Sequence, residues 1–370
     1  MKINLKYKLL VGIFIFIMLV IICIQIIIKN DKKSASLNYL FAAFDTTVQK
    51  NDSDLIFYDK DFNEIYKKNI PIGGISDSFI PPLEFDEKIY VAPNGNWFET
   101  DCDEVLEFNK KTGNYISYKT NQFAVRSLAV SEKYIFTVNE WNGVTVLARI
   151  NKDSKEIKEI KFEGKSCSQI DVYDNNLYFF ISYEENDEEN ECNTSLYILD
   201  IDTMEITKNI DISEYGRTPE ATCMKDGVLY MPIQYTKADE YCGLLLMYNT
   251  QNGEMQKIDL NHKSPSNILV YKDSILIIHT DLVGVSREEH SVTFYNPYDN
   301  TLKNYTLKNC INYAIVKDDT LYTLDSSENS VYIYKINKTN EPIFINKIKL
   351  KTKDGDTSEN YYSGGFFTME

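Results

Sequence analysis

The sequence predicts an all-β chain: a seven-bladed β-propeller with four-stranded blades, its ring closed by the C-terminal strand, preceded by one N-terminal transmembrane helix. Three observations carry this expectation. A strand–turn–strand pattern recurs seven times at a near-constant interval. The composition, with 27 Tyr and 19 Phe in 370 residues, favours strands over helices. A 20-residue apolar run opens the chain.

That run, Leu9 to Ile28, has Gln25 as its only strongly polar member. A helix rises about 1.5 Å per residue, so this length spans the roughly 30 Å of a bilayer core. The apolar region of a signal peptide is shorter, about 7–15 residues. Ser34 and Ser36 offer small residues for a cleavage site, and Cys23 follows Ile22 where a lipid-attachment motif wants a small residue. The expected organisation is a cytoplasmic tail over 1–8, a signal-anchor helix over 9–28, a linker over 29–36 and a propeller over 37–370. Three lysines precede the span (Lys2, Lys6, Lys8) and three follow it (Lys29, Lys32, Lys33), so loop charge leaves orientation undecided. Moving the first three outward would oppose the membrane potential at about 2.3 kcal/mol per charge per 100 mV. The propeller is therefore expected on the extracytoplasmic side of a single-pass cell-membrane protein.

In the repeat, an apolar strand ends in Asp or Asn, a polar turn follows, and a second strand begins. The key residues are Asp59, Asn109, Asn151, Asp200, Asn249, Asn296 and Asn337. They lie 50, 42, 49, 49, 47 and 41 residues apart. Such periods with short strands are those of propeller blades. Asp and Asn suit the position because their side chains bond the backbone of the turn. A further strand pair precedes most hairpins, as in Gln169–Tyr173 with Leu177–Ser182 and Asn267–Tyr271 with Ile275–His279. Each blade thus has strands A to D, from the central channel outwards. The first blade lacks an A strand, because Leu37–Thr47 already reads as strand B. The tail Tyr361–Glu370, with Gly364-Gly365-Phe366-Phe367, is expected to fill that gap. Closure of the ring removes exposed sheet edges.

In this architecture residues 37–370 resemble the YVTN-type and quinoprotein-like seven-bladed propellers. The chain has no regular Tyr-Val-Thr-Asn turn, no Trp-Asp dipeptide and no repeated Trp docking motif. The resemblance implies the fold, and no cofactor is expected.

Function is expected on the face where the B–C and D–A loops gather, because those loops vary in length while the C–D turns are uniform. The chain carries a formal charge of −16, from 39 basic and 55 acidic residues. That balance argues against nucleic acid. Residues 1–33 hold six lysines and one aspartate, so 33 basic and 54 acidic residues remain beyond them, a formal −21. Four B–C loops are long and acidic: Asn94–Glu104, Tyr183–Ser195, Thr236–Gly243 and Asp281–Ser291. A mouth of this sign would attract cations or a basic peptide. Whether a metal binds stays open; Asp101-Cys102-Asp103-Glu104 only hints at calcium.

The candidate ligand-binding residues are Trp97, Glu99, Arg126, Glu140, Trp141, Arg217, Glu220 and Arg287. The two tryptophans fall in the B–C loops of adjacent blades, beside Glu99 and Glu140, where exposed rings can stack a sugar or grip a peptide side chain. Arg126, Arg217 and Arg287 map to the same face. Glu220, Gln169, Asn267 and Asn312 are expected to line the channel mouth. Cys192 and Cys242 could form a disulfide in an oxidising compartment, whereas Cys167, Cys223 and Cys310 read as buried thiols. No C-x-x-C spacing argues for zinc. His262, His279 and His290 form no cluster, and no Ser-His-Asp or Cys-His arrangement supports nucleophilic catalysis. The leading expectation is a monomeric surface-binding protein recognising a peptide, protein or glycan. The alternatives are a lyase or glycan-processing enzyme at the channel mouth, and a structural subunit of a cell-envelope complex.

Overall fold

The computed structural model describes residues 36–77, 80–97, 100–184, 192–280, 290–353 and 360–369. The apolar run over 9–28 lies outside the described residues. Among the described residues no helix is long and apolar enough to cross a membrane.

Seven four-stranded antiparallel sheets form the blades of a β-propeller. Five blades use four consecutive strands, and blade 2 has a small separate hairpin between its second and third. Blade 1 is composite: the C-terminal strand Tyr362–Thr368 is its inner strand, hydrogen-bonded to Phe41–Thr46, followed by Ser53–Tyr58 and Glu64–Ile70. Strand B of this blade is shorter than the sequence suggested, starting at Phe41.

The middle strands are apolar on both faces because each blade is covered on both sides. In strand Asn176–Glu184, Phe179 packs towards blade 3 while its neighbour Phe180 packs towards blade 5, the alternation a pleated strand requires. Seven apolar clusters result, each shared by two adjacent blades, including one between blades 7 and 1. The outer strands alternate lysine-rich exposed positions with half-buried apolar ones, as in Ile157–Glu163. Charged residues of this kind blunt an edge against further strand pairing.

The turns follow from local chemistry. Asn151 Oδ1 accepts the N–H groups of Asp153 and Ser154, both at 2.9 Å. Asp59, Asp200, Asn249 and Asn337 do the same in their own turns. Three or four residues later the chain adopts a left-handed conformation, as at Lys155, Met204 and Asn340.

Closure is clamped twice. Phe366 packs edge-on against Phe41 and Tyr313, and Phe367 against Tyr39. Polar contacts secure the preceding segment: the Lys353 ammonium lies 2.6 Å from Asp52 and 3.1 Å from Asp54, and the Tyr361 hydroxyl donates to Asp52 at 2.6 Å.

Candidate functional site: the channel and its mouth

The inner strands run from the loop face down the channel. Each ends at a tight A–B turn, so positions can be matched between blades by counting back from it. One level holds Ser127, Gln169, Ala221, Asn267 and Tyr313, giving polar side chains from several blades. Two residues deeper the equivalents are Leu83, Ala129, Asp171, Cys223, Leu269 and Ile315. Asp171 is the only carboxylate at that level. Together these elements enclose a cavity of about 120 Å³ lined by Ser127, Gln169, Asp171, Glu220, Asn267 and Asn312 among others. Its size suits a small polar group.

Asp171 anchors a network across three blades. Its carboxylate accepts hydrogen bonds from Gln169 Nε2 at 2.8 Å and from the Thr222 hydroxyl. The Ser127 hydroxyl donates to Gln169 Oε1 at 3.3 Å, and the Tyr173 hydroxyl donates to the Thr222 carbonyl at 3.2 Å. Enclosure by protein pushes the Asp171 carboxyl up to about 6, against the opposing pull of its two donors. Glu220 is raised too, by the same desolvation, with the Arg126 charge pulling it back. Asp171 is half-buried and Glu220 exposed, and both line the channel cavity.

Around the mouth, Arg126, Glu140 and Trp141 form one unit. Trp141 ends strand Tyr134–Trp141 rather than standing in a loop, and the two-residue turn Asn142-Gly143 links it to its partner Val144. The indole is 56% exposed and packs edge-on against Phe123, with ring centres 4.9 Å apart. Arg126 Nη1 lies 3.0 Å from Glu140 Oε2, and the Ser166 hydroxyl of blade 4 donates to the same oxygen at 2.6 Å. Charge coupling of Arg126 to Glu220 connects this unit with the channel.

Trp97 stands on blade 2, 71% exposed, with its backbone N–H donating to the Val48 carbonyl at 3.1 Å. Arg217 pairs with Asp239 of its own blade at 3.1 Å, while its Nε is buried without a partner. Glu99 and Arg287 lie outside the described residues, as do 185–191 and 281–289 of the acidic loops. In the Asn94–Glu104 loop the chain forms a short hairpin, Gly95–Asn96 with Thr100–Asp101. Lys119 then takes both following carboxylates, Asp103 at 2.7 Å and Glu104 at 2.8 Å. Among the described residues no three His, Cys, Asp or Glu side chains group as metal ligands. Among the described residues no cysteine forms a disulfide, Cys192 and Cys242 included; Cys167 and Cys223 are buried and Cys310 is half-buried.

The sequence reading missed Asp171, Thr222 and Ser166. The i, i+2 spacing of Gln169 and Asp171 in one inner strand carries the signal, since it puts both on the channel face.

No protein-family model and no curated protein matches the chain. Solved structures do match it. The periplasmic gluconolactonase PpgL of Pseudomonas aeruginosa has a TM-score of 0.59 at 8% identity, covering 84% of this chain and 97% of that one. A 6-phosphogluconolactonase-like protein of Bacteroides uniformis gives 0.57 at 12%, covering 88% and 99%. Apo AztD of Citrobacter koseri gives 0.51 at 9%, covering 90% and 98%. At such identities the likeness shows the propeller fold alone.

Proposed function

We propose that this chain is a membrane-anchored binding protein whose extracytoplasmic propeller recognises a peptide, protein or glycan on its B–C loop face. The observation that carries the reading is the exposure of Trp97 and Trp141 on the same face of adjacent blades. Indoles left in solvent cost the fold apolar burial, and aromatic anchors with a polar rim are a mark of binding sites. The rim here is Arg126, Glu140 and Ser166, with Glu220 in the channel mouth below. Glu99 and Arg287 join the proposed site through their positions in the same loops. The apolar run over 9–28 supports the anchor, and the charge of the part beyond it favours basic ligands. The test is a titration of the full chain in detergent with glycan fragments and basic peptides. A ligand of this site shifts the indole emission and loses affinity when Trp141 becomes Ala.

Asp171 favours a second reading, a lyase or glycan-processing enzyme. A carboxyl held near 6 in a channel with Glu220 above it is poised to move protons at neutral pH. On this reading Asp171→Asn removes turnover of a sugar substrate while leaving binding at the tryptophans intact.

A further inference from the structure

The joint that closes the ring holds two buried carboxylates face to face. In blade 1, strand Phe41–Thr46 lies between the closing inner strand Tyr362–Thr368 and strand Ser53–Tyr58. Asp45 of the first stands directly opposite Asp54 of the last, so their side chains share one face; they are 2% and 1% exposed. On its other side Asp45 faces Ser363, where the closing ladder skips Gly364 and loses its regular register.

The neighbours serve these carboxylates unequally. Asp54 Oδ1 lies 3.1 Å from the Lys353 ammonium and 3.2 Å from Asn69 Nδ2, and its Oδ2 lies 3.2 Å from the Lys67 ammonium. Asp52, nearer solvent, takes the Lys353 ammonium and the Tyr361 hydroxyl, each at 2.6 Å, with Lys50 at 3.9 Å. Asp45 Oδ2 accepts only the backbone N–H of Lys353, at 2.8 Å, while its Oδ1 is buried without a partner. No ammonium pairs with Asp45 among the described residues, so a proton is what neutralises it. Burial, with the facing Asp54 charge added, pushes its carboxyl up to about 7, against the Lys353 N–H and the Lys353 and Lys67 ammoniums. Asp52, despite its own desolvation, is drawn down to about 2 by Lys353, Tyr361 and Asn69. Burial pushes Tyr58 and Tyr361 up to about 12, so these neighbours titrate well away from Asp45.

We infer that Asp45 is a proton-operated latch on the propeller ring: protonated, it holds the C-terminal strand in blade 1; ionised, it sets an unbalanced charge against Asp54 inside the joint and loosens that strand. Like charges directly opposite each other on adjacent strands work against pairing. The latch reaches the channel, because Phe366 of the closing strand packs edge-on against Tyr313, with ring centres 5.4 Å apart, and Tyr313 lines the cavity. The folded carboxyl holds its proton more tightly than an unfolded aspartate. Its contribution to closure is therefore complete below about pH 4 and is lost as the pH rises to about 7.

Hydrogen exchange of the full chain in detergent, read by mass spectrometry on peptides from Tyr362–Thr368, tests this against Asp45→Asn, which copies the protonated form. The protection factors of the two chains should agree near pH 4. The native value should then fall behind by about tenfold per pH unit, and the gap should level off above about pH 7. Asp54→Asn removes the facing charge and should move the levelling point to lower pH. Peptides from strand Asn176–Glu184 of blade 4 should show no gap between native chain and Asp45→Asn, which separates a local latch from a change in overall stability. A gap that does not vary with pH, an Asp45→Asn chain no better protected than the native one at pH 8, a levelling point unmoved by Asp54→Asn, or an equal gap in blade 4 would each overturn the inference.

Discussion

Asp171 joins the channel's structure to its chemistry. Its carboxyl is raised from the usual 3.8 to about 6, so the fold favours the protonated form. The stabilisation is complete below the unfolded-state value and is lost as the pH climbs through about 6. Asp171→Asn should therefore match the native chain near pH 4 and exceed it at pH 8, by about 3 kcal/mol at most. Denaturant melts at the two pH values measure this, and a constant difference between the variants would contradict it. Tryptophan was legible in the sequence because the chain has two, each beside a glutamate in a variable segment. Asp171 was not, because one acidic residue in a strand looks like any surface position until the register places it inside. Arg126 and Glu140 were both legible as mouth residues, but the Ser166 hydroxyl that the next blade donates to the same Glu140 oxygen was not.

The hairpin turn is the element through which the fold was read. Its Asp or Asn acts as anticipated, and Asn249 shows the cost of losing it: its Oδ1 accepts the N–H groups of Gln251 and Asn252. Asn249→Ala should cost about 1–2 kcal/mol, read as a lower melting midpoint without loss of fold. Closure makes a sharper prediction. A Cβ on Gly364 would lie 2.3 Å from the Ile75 carbonyl oxygen and 2.5 Å from that of Ser76. Those are backbone atoms that cannot step aside, so Gly364→Ala should cost about 3 kcal/mol or more and release the C-terminal strand. Protease sensitivity near residue 361 would report the release, and an unchanged melting point would count against this picture of closure. The pairing of that strand with Phe41–Thr46 was legible because blade 1 lacked one strand and the tail supplied one. The small hairpin around Trp97 was not, since two-residue strands carry no periodicity.

At the scale of the whole molecule, stability is shared among seven inter-blade clusters, and each blade is buried only through its neighbours. Blade number and closure followed from repeat spacing, because seven equal units allow few arrangements other than a ring. The ligand did not follow, since one fold carries many unrelated functions and the site alone decides among them. The proposed anchor belongs to this scale as well. The full chain should stay with membranes through alkaline carbonate washing and leave them only in detergent, and removal of residues 1–33 should abolish that retention. Release of the full chain by carbonate would sink the anchored reading.

The most direct test of the binding face is indole fluorescence of the full chain in detergent, titrated with glycan fragments and basic peptides. A saturable shift is expected for one ligand class, halved or lost in Trp97→Ala and Trp141→Ala, with Asp171→Asn leaving it in place. A ligand that binds with the emission unmoved, or equally well in both tryptophan variants, would place recognition elsewhere on the propeller and contradict the proposed binding face.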